Sequence, residues 1–190
     1  MIEFLNVTKK YGEQTVLDSF SLIMNDGEKI VLTGESGVGK TTILRILSGL
    51  ESVDSGSVVC DEKMAYMFQE PRLLPWKTAK ENVCAVLKKE NYSLSDKYLY
   101  AVGLSDAADK YPSELSGGMA QRVSFARFLA YAEESGATVL LLDEPFSALD
   151  KDTADKMLNL LLDFAIDKTV ILVTHDQNTT QTLGGRVVKL

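Results

Sequence analysis

The sequence predicts an α/β fold: a mainly parallel β-sheet carrying helices, with a helical block inserted midway. Three observations point there. Apolar, strand-like runs alternate with helical stripes in the first and last thirds of the chain, and such alternation implies a parallel sheet. One run, Glu28 to Thr33, passes straight into a glycine-rich segment and then a helical pattern. From Thr78 to about Tyr131 the patterns are mainly helical.

The elements follow in order. Phe20, Leu22 and Met24 alternate with Ser19, Ser21 and Ile23, a period-two pattern. Asn25-Asp26-Gly27 signals a turn. The next strand centres on Ile30-Val31-Leu32 and should be buried. Beyond the glycines, Ile43, Ile46, Leu47 and Leu50 fall at helical spacing. Ser48-Gly49 should end that helix, and Ser55-Gly56 should lie in the loop after it. Ala65 to Phe68 reads as a short strand, followed by a loop punctuated by Pro71 and Pro75 around Trp76. The helical block breaks at Asn91-Tyr92-Ser93, Gly103 and Tyr111-Pro112. Thr138 to Leu142 is an apolar strand. Ala154, Met157, Leu158, Leu161 and Ala165 share a helix face. Thr169 to Val173 is another buried strand, and Gly185-Arg186 opens a short terminal one.

Composition narrows the function classes. The chain has 190 residues, enough to bury a core without metal or disulfide staples. The net charge of −7 argues against general affinity for nucleic acid, which is bound through clustered Lys and Arg. Cys60 and Cys84 match no metal or CxxC spacing, so two reduced thiols are expected. The start, Met1-Ile2-Glu3-Phe4-Leu5, lacks the pattern of a signal peptide. Apolar runs such as Val139 to Leu142 are too short to cross a bilayer, so a membrane role requires a partner.

Gly34-Glu35-Ser36-Gly37-Val38-Gly39-Lys40-Thr41 matches G-x-x-x-x-G-K-[ST], between a strand pattern and a helix pattern. The glycines let consecutive backbone N–H groups curl toward phosphate oxygens, and the helix start adds its positive dipole end. Lys40 supplies charge to the β and γ phosphates, and Thr41 offers a hydroxyl to Mg²⁺. This motif alone fits kinases and GTPases equally well. A second apolar strand ends in Asp143-Glu144. Ligands in open α/β sheets gather at strand C-termini. Asp143 is therefore placed for Mg²⁺, and Glu144 to orient or deprotonate a water in line with the γ phosphate.

Leu115-Ser116-Gly117-Gly118-Met119-Ala120-Gln121-Arg122 separates these classes. Ser116 suits a helix N-cap, and the two glycines leave backbone N–H groups free for an anion. Here the sequence resembles the ATP-binding cassette (ABC) ATPases, whose signature is LSGGQ, and the resemblance covers nearly the whole chain. Further matches are Tyr11 as the adenine-stacking aromatic, Gln69 as the Q-loop glutamine, Ser147-Ala148-Leu149-Asp150 as the D-loop, and His175 as the switch histidine. The segment Phe68 to Trp76 looks like cassettes of bacterial nitrate, sulfonate and taurine importers.

The resemblance implies a P-loop core with an N-terminal antiparallel β subdomain and an inserted helical subdomain. Residues of about 1–70 and 132–190 form the core, and about 71–131 the helical part. It implies ATP and Mg²⁺ as ligands. Nucleotide contacts fall on Tyr11, Gly34, Glu35, Ser36, Gly37, Val38, Gly39, Lys40, Thr41, Thr42 and Gln69, with Ser116, Gly117 and Gly118 reaching the nucleotide of a second chain. Metal contacts fall on Thr41, Gln69 and Asp143, and catalysis on Glu144 and His175. The implied assembly is a head-to-tail homodimer, or a heterodimer with a related cassette, docked on a transmembrane permease near Gln69 to Trp76. The chain would then lie in the cytoplasm, peripheral on the inner face of the cell membrane. A soluble ABC ATPase acting on DNA or ribosomes is the alternative, but the coiled-coil, zinc or tandem insertions usual there are absent. One departure is Met119, which stands where the signature has Gln.

Overall fold

The structure is a computed structural model that describes residues 1–190. It begins with two long strands, β1 (Ile2–Tyr11) and β2 (Gln14–Met24). Then come β3 (Lys29–Thr33), helix α1 (Lys40–Leu47), β4 (Ser55–Val59) and β5 (Met64–Met67). Helices α2 (Ala79–Cys84), α3 (Ser93–Ala101) and α4 (Gly117–Ser135) follow. The chain closes with β6 (Val139–Asp143), α5 (Lys151–Phe164), β7 (Thr169–Val173), α6 (Gln177–Leu183) and β8 (Arg186–Lys189).

Two sheets form. One is antiparallel, in the order β2-β1-β4, and the other is parallel, in the order β5-β6-β7-β3-β8. The three inner parallel strands, β3, β6 and β7, are buried on both faces, which is why they read as continuous apolar runs. Their side chains still divide by parity. Ile30, Leu32, Leu141 and Ile171 join Ile43 and Leu44 of α1 and Phe4 and Leu22 of the antiparallel sheet. Val31, Leu140, Leu142, Val170 and Leu172 face the other way, toward Val123 and Leu129 of α4 and Leu158 and Leu161 of α5. The parallel sheet is thus the middle layer. Its strand C-termini all open on the edge that carries the glycine-rich loop and the acidic pair.

Three expectations are corrected. Ser55-Gly56 opens strand β4 rather than lying in a loop. Gly56 passes so close to β1 that a Cβ would sit 2.4 Å from the Asn6 carbonyl oxygen, so only glycine allows this pairing. Leu50 is not on the helix: α1 ends at Leu47, and Leu50 lies beyond it, exposed. Helix α4 runs to Ser135, past the expected end of the helical block at residue 131. It packs on α2, α3 and β5 together, so it is buried on several sides rather than along one stripe. The cysteines are unpaired as expected. No helix is long and apolar enough to cross a membrane.

Candidate nucleotide site

The glycine-rich loop joins the C-terminus of β3 to the N-terminus of α1. Gly39 has φ +108, and a Cβ there would meet Leu17 Cδ2 at 2.8 Å and Val16 at 3.1 Å. At Gly34, with φ +144, a Cβ would sit 2.9 Å from the Leu190 carbonyl oxygen. Side chains at either position would push the loop open. Lys40 is folded inside it, donating from Nζ to the carbonyls of Gly34 (2.9 Å) and Glu35 (2.6 Å). The loop thereby holds one buried positive charge at its centre, ringed by backbone.

Across from it stands the end of β6. Thr41 Oγ1 donates to Asp143 Oδ2 at 2.7 Å, joining the start of α1 to β6. Asp143 is buried, and its desolvation raises its pKa against the lowering pull of Thr41. Glu144 follows with φ +47, a conformation a non-glycine residue adopts only under constraint. Its N–H is held by the Val173 carbonyl of β7 at 3.0 Å. Its carboxylate lies 3.4 Å from His175 Nε2. Burial pushes Glu144 above the ordinary carboxylate value, with the Asp143 charge adding to the rise, while His175 pulls it down. The site therefore sets two carboxylates of different environment beside one cation.

An open cleft of about 620 Å³ gathers most of the expected residues. Tyr11, Ser36, Gly37, Gly39, Lys40, Thr41, Thr42, Gln69, Asp143, Glu144 and His175 all line it. Gly34, Glu35 and Val38 line the adjoining outer face of the loop. Ser116, Gly117 and Gly118 lie outside this cleft. Ser116 caps α4 by accepting from the Met119 N–H at 3.2 Å. Ser116 and Gly117 are exposed, while Met119 packs against the apolar cluster. The Ser116-Gly117-Gly118 segment therefore stands apart from its own chain's glycine-rich loop.

Three further side chains, Asn82, Arg127 and Gln121, hold these parts in place. Asn82, fully buried, donates to the carbonyls of Leu74, Lys77 and Thr78 and accepts from the Leu74 N–H. Arg127 of α4 donates to the carbonyls of Pro71 (2.6 Å) and Arg72 (3.0 Å). Together they pin the loop after Gln69. Gln121, also buried, donates to the Pro145 carbonyl at 2.8 Å, tying the signature helix to the Glu144 turn. No local pattern marks these residues, because each bond spans the fold or needs a loop's final shape. Trp76, on the pinned loop, is 70% exposed. Beside it runs an apolar groove of about 450 Å³, whose walls include Phe68, Leu74, Val86, Phe128 and Tyr131.

Fold and site together define a P-loop nucleotide-binding protein with Ser116 and Gly117 exposed outside its cleft. The family model described as "ABC transporter" matches residues 17–147. A sulfonate import protein of Pseudomonas syringae pv. syringae (strain B728a), "Aliphatic sulfonates import ATP-binding protein SsuB 2", is 42% identical, over 100% of this chain and 69% of its own length. The protein of that name, without a number, from Mycobacterium sp. (strain MCS) is 44% identical, over 96% of this chain and 76% of its own. A solved dimeric structure of the ATP-binding cassette MJ0796, in a post-hydrolysis state bound to ADP and Pi, superposes with a TM-score of 0.89. It is 32% identical and covers 100% of this chain and 94% of that one. This chain belongs to the ABC transporter family.

Proposed function

We propose that this chain powers solute import by closing and reopening as a nucleotide-bridged dimer beneath a separate membrane permease. As a family member it is an ATP-binding, ATP-hydrolysing subunit of an ABC transporter. The observation that carries the finer reading is the split between the two anion motifs. Lys40, Glu144 and His175 share one cleft, while Ser116 and Gly117 lie exposed outside it. A phosphate held by one chain's loop can then be completed by a second chain's signature. The dimeric cassette of similar fold supports this arrangement.

In this reading Tyr11 stacks on the base, and the loop N–H groups with Lys40 hold the phosphates. Thr41, Asp143 and Gln69 would hold Mg²⁺, which neutralises phosphate charge when bound. The donor set fits: it is all oxygen, and one carboxylate is desolvated. Glu144 takes the proton of the attacking water, and His175 contacts the γ phosphate. The unit works as one domain, with about 1–70 and 132–190 as nucleotide core and about 71–131 as the helical part. The groove lined by Leu74 and Phe128, with Trp76 beside it, suits the permease. In this reading the chain sits peripherally on the inner membrane face. The relatives named above support an aliphatic sulfonate as solute.

The experiment is growth with an aliphatic sulfonate as the only sulfur supply, in cells lacking this chain. Growth should fail on the sulfonate, persist on sulfate, and return with wild type but not with Glu144→Gln. Unchanged growth on the sulfonate would remove that solute. Rescue by Glu144→Gln would remove the role of hydrolysis.

A further inference from the structure

One polar group at the metal end of the cleft has no task so far. Tyr66 of β5 stands opposite Leu141 in the parallel pairing with β6. Side chains alternate along a strand, so Leu141 and Asp143 share a face. Asp143 is therefore the diagonal neighbour of Tyr66, on the face that α1 covers. Helix α1 adds Thr41 and Arg45, one turn apart, to the same recess of about 290 Å³.

The Tyr66 ring is fixed in this recess. It packs on the apolar cluster beneath α1, and its centroid lies 4.3 Å from that of Phe68. Its hydroxyl is buried and has no hydrogen-bond partner. It makes no bond of ordinary length to Asp143, yet lies close enough that the two groups shift each other's protonation. Asp143 in turn receives a protein bond on Oδ2 only, from Thr41. A buried donor without an acceptor thus lies beside a buried carboxylate with spare acceptor capacity. Unmet groups of this kind are rare in folded proteins, and each asks for a reason.

We propose that Tyr66 is a positioning residue for the metal end of the site: its hydroxyl supplies the second hydrogen bond that orients the Asp143 carboxylate once nucleotide and cation are bound. The proposal rests on the nucleotide and magnesium reading given above. A carboxylate that serves a cation needs its remaining lone pairs held by outer partners, or it rotates away. Thr41 alone leaves Asp143 one such freedom, and Tyr66 is the donor set to remove it.

The test compares wild type with Tyr66→Phe, which keeps the ring and its packing. A fluorescent ATP analogue is bound first in EDTA, then with increasing Mg²⁺. Tyr66→Phe should raise the Mg²⁺ concentration needed for tight binding by about tenfold or more, the span of lost outer-partner bonds at metal sites. Affinity in EDTA should not change. Thermal stability without nucleotide should not fall, because the hydroxyl has no bond to lose. A Mg²⁺ titration identical to wild type overturns the proposal. Equal weakening with and without Mg²⁺ also overturns it, since that marks a packing role. Wild-type binding that ignores Mg²⁺ would overturn both this inference and the reading beneath it.

Discussion

Lys40 shows how much one side chain carries. Its ammonium is the only cationic group inside the glycine-rich loop, and it is bonded to the loop's own carbonyls at Gly34 and Glu35. Lys40→Ala removes a charge-assisted contact of about 1.5–3 kcal/mol. Nucleotide affinity should fall by about tenfold or more in a fluorescent ATP titration; equal affinity would contradict the assignment. Glu144 makes a pH prediction at the same scale. Burial raises it above its ordinary 4.5, so its proton is lost only at higher pH. A base must be ionised to act. The acid limb of the ATPase profile should therefore lie above pH 4.5, and a limb at or below that value would rule Glu144 out. The linkage to folding has the opposite benefit: a raised carboxyl costs stability at neutral pH, and the cost is relieved as pH falls through the folded value. Lys40, Asp143 and Glu144 were legible because short motifs encode them. Asn82, Arg127 and Gln121 were not, since their partners are backbone carbonyls that the folded chain brings to them.

Elements differ in legibility for physical reasons. Strands β3, β6 and β7 are buried on both faces, so their apolar runs announce them. Strand β4 is Ser-Gly-Ser-Val-Val, mostly exposed at the sheet edge, and its first residues look like a loop. Helix α6 has the polar sequence Gln177-Asn178-Thr179-Thr180-Gln181-Thr182-Leu183 and was not foreseen. Its start is fixed instead by Asp176, whose carboxylate accepts from the Thr179 N–H and hydroxyl. The pinned loop around Trp76 yields a prediction. Asn82→Ala leaves the Leu74 N–H and the Lys77 carbonyl without their partner, while the Leu74 and Thr78 carbonyls keep their backbone bonds. A buried unsatisfied group costs about 1–3 kcal/mol, so a loss of at least that order is expected in urea unfolding. Trp76 fluorescence anisotropy should fall in the same variant as its loop loosens. Unchanged anisotropy would show that other contacts hold the loop.

At the scale of the whole molecule, the proposed dimer requires each chain to present half of each nucleotide site. The phosphate loop, the acids and His175 lie in one cleft, and the signature motif lies exposed elsewhere. Isolated faces rich in free N–H groups have little reason to associate until an anion bridges them. The expected state is therefore a monomer without nucleotide and a dimer with it. Hydrolysis must be blocked for that dimer to accumulate. Glu144→Gln keeps the size and hydrogen bonding of the side chain and removes its charge and basicity. The most direct measurement is ATPase rate together with size-exclusion chromatography of this variant in Mg²⁺ and ATP. The expected result is turnover slowed by about 10²–10⁴-fold and a stable ATP-bound dimer that wild type forms only briefly. Hydrolysis at the wild-type rate, or a variant that stays monomeric at saturating ATP, would contradict it.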